Sequence, residues 1–447
     1  MRIRLGVPLK LFEIAEAVDG EYTCEKEIEY ISTDTREIEY GDLFVAISGK
    51  SFNGEDFVHE AIRKGAIPLS NGKVYGGIIV SNTKDALLKL AEFYKIKLKK
   101  LKYTVGITGS VGKTTTKEFL KVICSTKYKT HATTGNFNNE IGLPLTVLSA
   151  PPDTEILILE MGMNHQGEIS RLSRAAKPDI AIITNIGTAH IGNLRSRENI
   201  AKAKLEILEG MTGSCVIVPK DESLFSNLPS AIYYSVDECL PENLENNRLK
   251  ILKNGEVLLK INFPFFQKHL GNCLAPAAIA AEECGLNYDE LIRGVSLISN
   301  DNIRQSIVIL KNLYFYKDYY NSSYESVRAA LASMKELKGY SRKSILLGDV
   351  LELGEHSESI HRKIGEMIFP NEFHNLFLFG DSVRFIYEGA VKNGFSPGKI
   401  HLNLTCDYER SAKQVLDNSI PQEIILIKGS RGMKLERIIE YISKEIS

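Results

Sequence analysis

Residues 103–108 (YTVGIT) run directly into residues 109–118 (GSVGKTTTKE). The first stretch has the composition of a buried β-strand, and the second that of a glycine-rich turn that opens an α-helix. A strand, a glycine turn and a helix in this order place backbone N–H groups where they can cradle phosphate. We therefore predict a nucleotide-binding loop inside an α/β unit.

Each residue type of this loop has a chemical reason. Gly109 and Gly112 permit close approach of the backbone, Lys113 can reach terminal phosphates, and the Thr114 hydroxyl can bind Mg²⁺. Ile107 stands where the usual first glycine falls, so the general pattern is incomplete. The alternative is a plain structural turn with a solvent-facing lysine, which the agreement of strand, turn and helix disfavours. The predicted nucleotide contacts here are Gly109, Ser110, Val111, Gly112, Lys113, Thr114 and Thr115.

The sequence favours ATP over GTP. A GTPase usually carries an Asn-Lys-x-Asp motif that reads guanine after a later strand, and this chain has none. Two later strands end in side chains suited to Mg²⁺. Glu160 closes the apolar run at residues 155–159, and His190 follows the run at residues 179–184. By residue type alone, a salt-bridged glutamate and a structural histidine remain the alternatives.

Length and composition indicate an ordinary globular protein. A chain of 447 residues, 43% hydrophobic and 25% charged, suits about three domains that each bury a core. A net charge of -1 gives no general attraction to nucleic acid or to an anionic membrane. The first residues lack the apolar stretch that is typical of a secretory signal, and no apolar run approaches the ~18 residues of a membrane span. We expect a cytoplasmic, monomeric protein with small-molecule partners.

Strand and helix patterns alternate in three blocks. A lysine-rich run at residues 95–102 and a polar stretch at residues 299–302 mark the boundaries. Residues 223–262 carry a weak, mixed pattern that predicts nothing firm. The expected fold is α/β with three domains, residues 1–102, residues 103–303 with a parallel sheet and residues 304–447 with a second α/β sheet. Predicted strands are residues 103–108, 155–159, 179–184 and 214–218, then 306–316, 344–347, 376–379 and 423–427.

Ten blocks of the chain form recognisable motifs. The central blocks are residues 108–118 (TGSVGKTTTKE), 134–145 (TGNFNNEIGLPL), 160–168 (EMGMNHQGE), 184–190 (TNIGTAH) and 203–206 (AKLE). The outer blocks are residues 32–36 (STDTR), 41–46 (GDLFVA), 318–321 (DYYN), 347–355 (LGDVLELGE) and 428–431 (KGSR). Together they closely resemble the Mur ligase family. The blocks at 135–144 and 347–355 are the most specific, and they resemble the members that add D-alanyl-D-alanine to UDP-MurNAc-tripeptide.

The resemblance implies a separate role for each domain. The first domain would hold the UDP end of the substrate, the second ATP and two Mg²⁺ ions, and a Rossmann-like third domain would close over both. Lys204 corresponds to a lysine that the family carbamylates, which replaces an ammonium that repels Mg²⁺ by oxygens that bind it. The implied contacts with the UDP moiety are Ser32, Asp34, Thr35 and Arg36, and the further implied substrate contacts are Asn138 and Asn139. The implied metal ligands are Thr114, Glu160, His190 and Lys204. The implied catalytic residues are Lys113, Lys204 and His190. The further implied ATP contacts are His269, Arg304 and Asp318.

Departures from the family pattern fall on the base and ribose side of the ATP site. The usual Gly-x-His-Asn is replaced by residues 266–269 (FQKH), so we expect His269 rather than asparagine on the adenine. The usual Asp-Asp-Ser-Tyr-Asn-Ala-Asn-Pro is replaced by residues 317–324 (KDYYNSSY). In the first domain residues 53–55 (NGE) replace the commoner Asp-Gly-His.

The expected reaction is formation of an amide bond through an acyl phosphate. ATP would phosphorylate the terminal carboxylate of UDP-MurNAc-tripeptide, and the amine of D-alanyl-D-alanine would displace the phosphate. Three alternatives remain. They are a sister ligase that adds a single amino acid, a folylpolyglutamate synthase, which lacks the UDP-sugar domain, and a nucleotide-binding scaffold without turnover.

Overall fold

The computed structural model describes residues 1–446 except 23–24, 50–51, 73, 75, 240–246, 264–267, 300–305 and 311. It contains three β-sheets in chain order, each covered by helices, which confirms the predicted α/β class. No described helix is long and apolar enough to cross a membrane.

The first sheet has six strands in the order β1-β3-β4-β5-β6-β2. β3, β4, β5 and β6 are parallel, and β1 and β2 run antiparallel at the two edges. The strands are β1 (Arg2–Lys10), β2 (Glu21–Tyr22), β3 (Glu27–Ser32), β4 (Leu43–Val45), β5 (Ile67–Ser70) and β6 (Ile78–Ile79), with helices α1 (Leu11–Ala17), α2 (Val58–Arg63) and α3 (Thr83–Lys95) and a short 3-10 helix at Gly54–Phe57.

The second sheet has eight strands in the order β14-β13-β12-β11-β10-β7-β9-β8. The six strands β7 to β12 are parallel, so their carboxyl ends meet at one edge. The strands are β7 (Tyr103–Thr108), β8 (Thr130–Ala132), β9 (Ile156–Glu160), β10 (Ile180–Ile183), β11 (Cys215–Pro219), β12 (Ala231–Cys239), β13 (Asn247–Lys253) and β14 (Glu256–Phe263). The helices are α4 (Lys113–Cys124), α5 (Gly142–Leu148), α6 (Glu168–Ala176), α7 (Ile191–Leu194), α8 (Arg197–Leu205), α9 (Lys268–Glu283) and α10 (Tyr288–Ser296), with short 3-10 helices at Glu206–Gly210 and Ser223–Phe225.

The third sheet has six strands in the order β15-β16-β20-β17-β18-β19. All are parallel except β15, which pairs antiparallel with β16. The strands are β15 (Ser306–Leu310), β16 (Leu313–Asp318), β17 (Lys343–Gly348), β18 (Leu376–Phe379), β19 (Ile400–Asn403) and β20 (Ile424–Lys428). The helices are α11 (Tyr324–Glu336), α12 (Ser357–Glu366), α13 (Val383–Lys392), α14 (Tyr408–Asn418) and α15 (Glu436–Ile446), with short 3-10 helices at Gly354–His356, Pro397–Lys399 and Arg431–Met433.

One predicted element is wrong. Residues 306–316 were expected to form a single strand, but they divide into β15 and β16, which pair as a hairpin. Asn312 has φ of 61°, a left-handed conformation that a continuous strand does not contain. The region without a firm prediction, residues 223–262, adds β12 in parallel and the antiparallel hairpin β13–β14 to the second sheet.

Candidate nucleotide and metal site

One cavity lies between the carboxyl edges of the second and third sheets. It has a volume of about 360 Å³. The central side is formed by the turn between β7 and α4 and by the ends of β9 and β10, and the opposite side by the end of β16, the start of α11 and Lys428. Open α/β sheets bind ligands at this edge because strand ends and helix starts converge there.

Ten of the predicted site residues line this one cavity, so the structure brings together both sides of the predicted nucleotide site. They are Ser110, Val111, Gly112, Lys113, Thr114, Thr115, Asn138, Glu160, His269 and Asp318. Arg304 lies outside the described residues.

The phosphate loop has the backbone that its glycines allow. Gly109 and Gly112 have φ of 147° and 88°, values that residues with a β-carbon rarely adopt. A β-carbon on Gly109 would lie 1.9 Å from Thr184 Oγ1, so the loop presses directly against the end of β10. Lys113 begins α4, and its Nζ donates to the Gly109 carbonyl at 2.6 Å.

Asn185 holds the loop from the neighbouring strand, a role that the sequence did not reveal. Its Oδ1 accepts from the main-chain N–H groups of Ser110 at 3.1 Å and Val111 at 2.9 Å. Thr184 Oγ1 donates to the Val111 carbonyl at 2.6 Å, and Gly187 N donates to Ser110 Oγ at 2.9 Å. The segment after β10 therefore fixes the loop geometry.

Glu160 has the surroundings of a metal ligand. Its side chain is buried, it accepts from Thr114 Oγ1 at 2.7 Å and Asn138 Nδ2 at 2.9 Å, and it forms no ion pair within the described residues. A buried carboxylate without a cationic partner beside a hydroxyl matches the oxygen ligands that Mg²⁺ prefers. Thr114 and Glu160 thus fit one Mg²⁺ ion.

Lys204 fits a metal only after modification. The side chain is 2% exposed and forms no ion pair with any described residue. Burial, and secondarily the nearby Lys113 ammonium, hold the pKa of Lys204 well below its usual value. An ammonium repels Mg²⁺, whereas a carbamate formed on the neutral amine offers it oxygens.

His190 lies beside the cavity wall rather than in it, since the neighbouring Ala189 lines the cavity. Its backbone is left-handed, with φ of 64°, and its Nδ1 lies 2.6 Å from Glu352 Oε2. No group of three His, Cys, Asp or Glu side chains suited to a metal occurs in the described part of the chain.

The third sheet contributes a buried ion pair. Lys428 Nζ donates to Asp318 Oδ2 at 2.9 Å and to the Asn321 carbonyl at 3.1 Å, and its side chain is buried. Lys428 thereby fixes both the end of β16, where Asp318 lines the cavity, and the loop that follows it. His269, from α9, lies with its Nδ1 3.3 Å from Ser333 Oγ of α11.

Each sheet with its helices is called a unit below, and the three units are numbered in chain order. The predicted UDP contacts lie apart from this cavity, in the first unit. Ser32 ends β3, and Arg36 Nη2 lies 2.5 Å from Asp34 Oδ2. Hydrogen bonds from Arg36 hold the pKa of Asp34 well below its usual value. Thr35 is buried, and its carbonyl accepts from Lys64 Nζ at 2.6 Å.

Asn139 faces a second cavity, of about 180 Å³, between α3 of the first unit and the second sheet's helices. Lys84, Asn164 and Glu168 also line it. Asn139 Oδ1 accepts from the N–H groups of Ile141 and Gly142, where the chain enters α5. Asn138 and Asn139, adjacent in sequence, thus face two different cavities.

Three family models match successive parts of the chain. Residues 27–93 match the Mur ligase family catalytic domain, residues 107–256 the Mur ligase middle domain, and residues 304–431 the Mur ligase glutamate ligase domain. A UDP-N-acetylmuramoyl-tripeptide--D-alanyl-D-alanine ligase of Bacillus subtilis is 36% identical over 96% of both chains.

The chain belongs to the Mur ligase family.

Solved structures extend the likeness to the arrangement of the three sheets. MurF from Acinetobacter baumannii is 25% identical, with a TM-score of 0.86 over 99% of this chain and 100% of that one. MurF ligase from Thermotoga maritima, solved in complex with ADP, is 27% identical, with a TM-score of 0.78 over 93% of this chain and 97% of that one. This Mur ligase is an ADP-forming ligase of the same type as those relatives.

Proposed function

We propose that this chain joins D-alanyl-D-alanine to UDP-N-acetylmuramoyl-tripeptide with hydrolysis of ATP to ADP and phosphate, a step in peptidoglycan precursor synthesis. The observation that carries the proposal is a phosphate loop, a buried Glu160 and a Lys428–Asp318 pair in one cavity, in a chain similar to the named ligases over its full length. Catalysis would consist mainly of positioning and charge stabilisation.

The chain's own residues suit phosphoryl transfer to a carboxylate. Backbone N–H groups at the start of α4 and the Lys113 ammonium would hold the phosphates, with Asp318 and His269 toward the ribose and adenine. Thr114 and Glu160 would hold one Mg²⁺, and His190 with carbamylated Lys204 a second. When bound, Mg²⁺ offsets negative charge on the transferred group. Arg304 remains a proposed ATP contact by resemblance alone.

The remaining assignments rest on position. We propose domains at residues 1–102, 103–303 and 304–447, because each range contains one sheet. Ser32, Asp34, Thr35 and Arg36 would contact the UDP moiety, and Asn138 and Asn139 the peptide side of the substrate. Because one chain supplies both walls of the cavity, we propose a monomer that works in the cytoplasm, where ATP and UDP-linked precursors are available.

The test is ADP release by the purified protein with ATP, Mg²⁺ and UDP-MurNAc-tripeptide, comparing D-alanyl-D-alanine with single amino acids. We expect turnover only with the dipeptide, and a product heavier by the dipeptide less one water. Turnover with a single amino acid would indicate a sister ligase, and none with any acceptor would indicate a scaffold.

The role of Lys204 has its own test. Lys204→Ala should lose most ligase activity, because the second metal loses a ligand, and added short carboxylates should restore part of it by supplying oxygens in the vacated space. Lys202→Ala is the matched control, since Lys202 lies on the same helix and is exposed. Unimpaired Lys204→Ala would remove this residue from the mechanism.

A further inference from the structure

The segment after β10 is contacted by two carboxylates of the third unit. Glu325, in the first turn of α11, accepts from Thr188 N and Thr188 Oγ1, both at 3.0 Å. His190 lies two residues after Thr188, and its Nδ1 is 2.6 Å from Glu352 Oε2. The segment that fixes the phosphate loop at one end is therefore held by the third unit at the other.

Glu352 is anchored by its backbone as well as by its side chain. Its carbonyl accepts from Gly192 N at 3.1 Å, so two atoms of one residue bind the stretch from His190 to Gly192. A β-carbon on Gly192 would lie 2.6 Å from the Glu352 carbonyl oxygen and 2.7 Å from Gly354 N. This close backbone contact fixes the position of the Glu352 carboxylate relative to the His190 imidazole.

Both residues of the contact adopt unfavourable backbone conformations. His190 and Glu352 have φ of 64° and 65°, in the left-handed region that residues with side chains usually avoid. Such strain persists where surrounding contacts determine the conformation, and it is concentrated at functional sites. The Glu352 side chain is 52% exposed, and an ion pair at such a surface position requires no left-handed backbone at either end.

We propose that Glu352 is a positioning residue that orients the His190 imidazole for the metal, so that the third unit completes a metal site of the second. The proposal rests on the proposed function, in which His190 is a Mg²⁺ ligand. Histidines that bind metals commonly pair their other ring nitrogen with a carboxylate, which fixes the ring and its tautomer. Because Glu352 Oε2 lies 2.6 Å from Nδ1, Nε2 is the nitrogen left for the ion.

The experiment measures Mn²⁺ binding to the full-length protein in the presence of ADP, from the loss of the free Mn²⁺ electron paramagnetic resonance signal. Glu352→Ala should weaken the apparent affinity by about 10–100-fold. Glu352→Gln, which keeps an acceptor oxygen, should lose less. Glu355→Ala is the matched control, because Glu355 is an exposed carboxylate of the same turn with no ion pair among the described residues. It should bind Mn²⁺ like the unmodified protein.

His190→Ala separates this inference from the function on which it rests. If His190→Ala weakens Mn²⁺ binding and Glu352→Ala does not, the positioning role is overturned and the ligand role of His190 stands. If His190→Ala has no effect, the ligand role fails first. The double variant should bind no more weakly than His190→Ala alone, because Glu352 acts through His190. Additive losses would overturn the proposal, and Glu352→Gln supplies the comparison if the alanine variant does not fold.

Discussion

Lys204 is a residue whose surroundings oppose its charge. It is 2% exposed, and burial followed by the Lys113 ammonium lowers its pKa. Lys204→Met keeps the length of the side chain and removes the charge, so we expect the free energy of unfolding to rise by roughly 1–3 kcal/mol. Urea unfolding without nucleotide, Mg²⁺ or bicarbonate measures it, with exposed Lys202→Met as control.

The sign of the pH dependence follows from the lowered pKa. The unfolded chain binds a proton at Lys204 more readily than the folded chain, so the unmodified protein loses relative stability as pH falls from the usual lysine pKa toward the folded one. The advantage of Lys204→Met should therefore grow as pH falls and stay constant below the folded pKa. A destabilised Lys204→Met would mean that the ammonium has a favourable partner.

Asn185 allows a second residue-level prediction. Asn185→Ala leaves the N–H groups of Ser110 and Val111 without their side-chain acceptor, so the phosphate loop should lose its fixed geometry. We expect the KM for ATP to rise about 10-fold, equivalent to ~1.4 kcal/mol, with the KM for the UDP substrate little changed. Asn193→Ala, at an exposed position shortly after the same segment, is the control. An unchanged KM for ATP would contradict the anchoring role.

The sequence motifs predicted which residues of the loop and the strand end belong to the site, but not which side chains from neighbouring strands contact them. Lys113, Thr114 and Glu160 line one cavity, and the loop and the end of β9 that carry them follow from local sequence pattern. From the sequence, Asn185 could be described only as a polar residue after a strand. Its contact with the phosphate loop depends on the pairing of β10 with β7. The metal and substrate roles of these residues stay predictions.

At the scale of elements, glycine positions differ in what they tolerate. Gly109→Ala combines φ of 147° with a β-carbon 1.9 Å from Thr184 Oγ1, whereas Gly255→Ala has φ of 88° and no atom within 4 Å. We expect Gly255→Ala to cost about 1–2 kcal/mol of stability from the backbone alone. Gly109→Ala should cost more and abolish ADP binding. Thermal unfolding and calorimetric ADP titration measure both, and intact ADP binding by Gly109→Ala would contradict the predicted clash.

Two of the structures that the sequence pattern did not predict are hairpins. Asn254 and Gly255 both have positive φ, the two-residue turn that joins β13 to β14, and an Asn-Gly pair between apolar runs is its usual signal. The hairpin β15–β16 turns near Asn312, where apolar residues on both sides gave the appearance of one strand. Parallel strands with long crossover helices were predicted better, because each strand stands alone between helical patterns.

At the scale of the whole molecule, the contacts between units could not be predicted from the sequence. Tyr94 of α3 accepts from Val7 N at 2.6 Å and donates to the Ala150 carbonyl at 3.2 Å, which ties the first unit to the second. Glu325 and Glu352 tie the third unit to the second. Three domains could be predicted from length and pattern, whereas their packing depends on single side chains from distant parts of the chain.

Lys95 provides a prediction for the junction of the first two units. It ends α3, and its Nζ donates to the carbonyls of Ala176 and, at 3.1 Å, Lys177 at the end of α6. Burial lowers the pKa of Lys95 from its usual 10.5 to about 8, although Asp179 opposes the shift. The unfolded state therefore binds more protons between these values, and stability should rise with pH across this interval.

Lys95→Met should remove that part of the pH dependence. Between pH 8 and pH 10 the unmodified protein should gain roughly 1–2 kcal/mol more unfolding free energy than Lys95→Met, after allowance for partial access of water. Comparing the change with pH cancels the hydrogen bonds that the variant loses at both values. Lys99→Met, at an exposed position after the same helix, should follow the unmodified protein. Equal changes in Lys95→Met and the unmodified protein would mean that water reaches the Lys95 ammonium, and that the first and second units separate there before the chain unfolds.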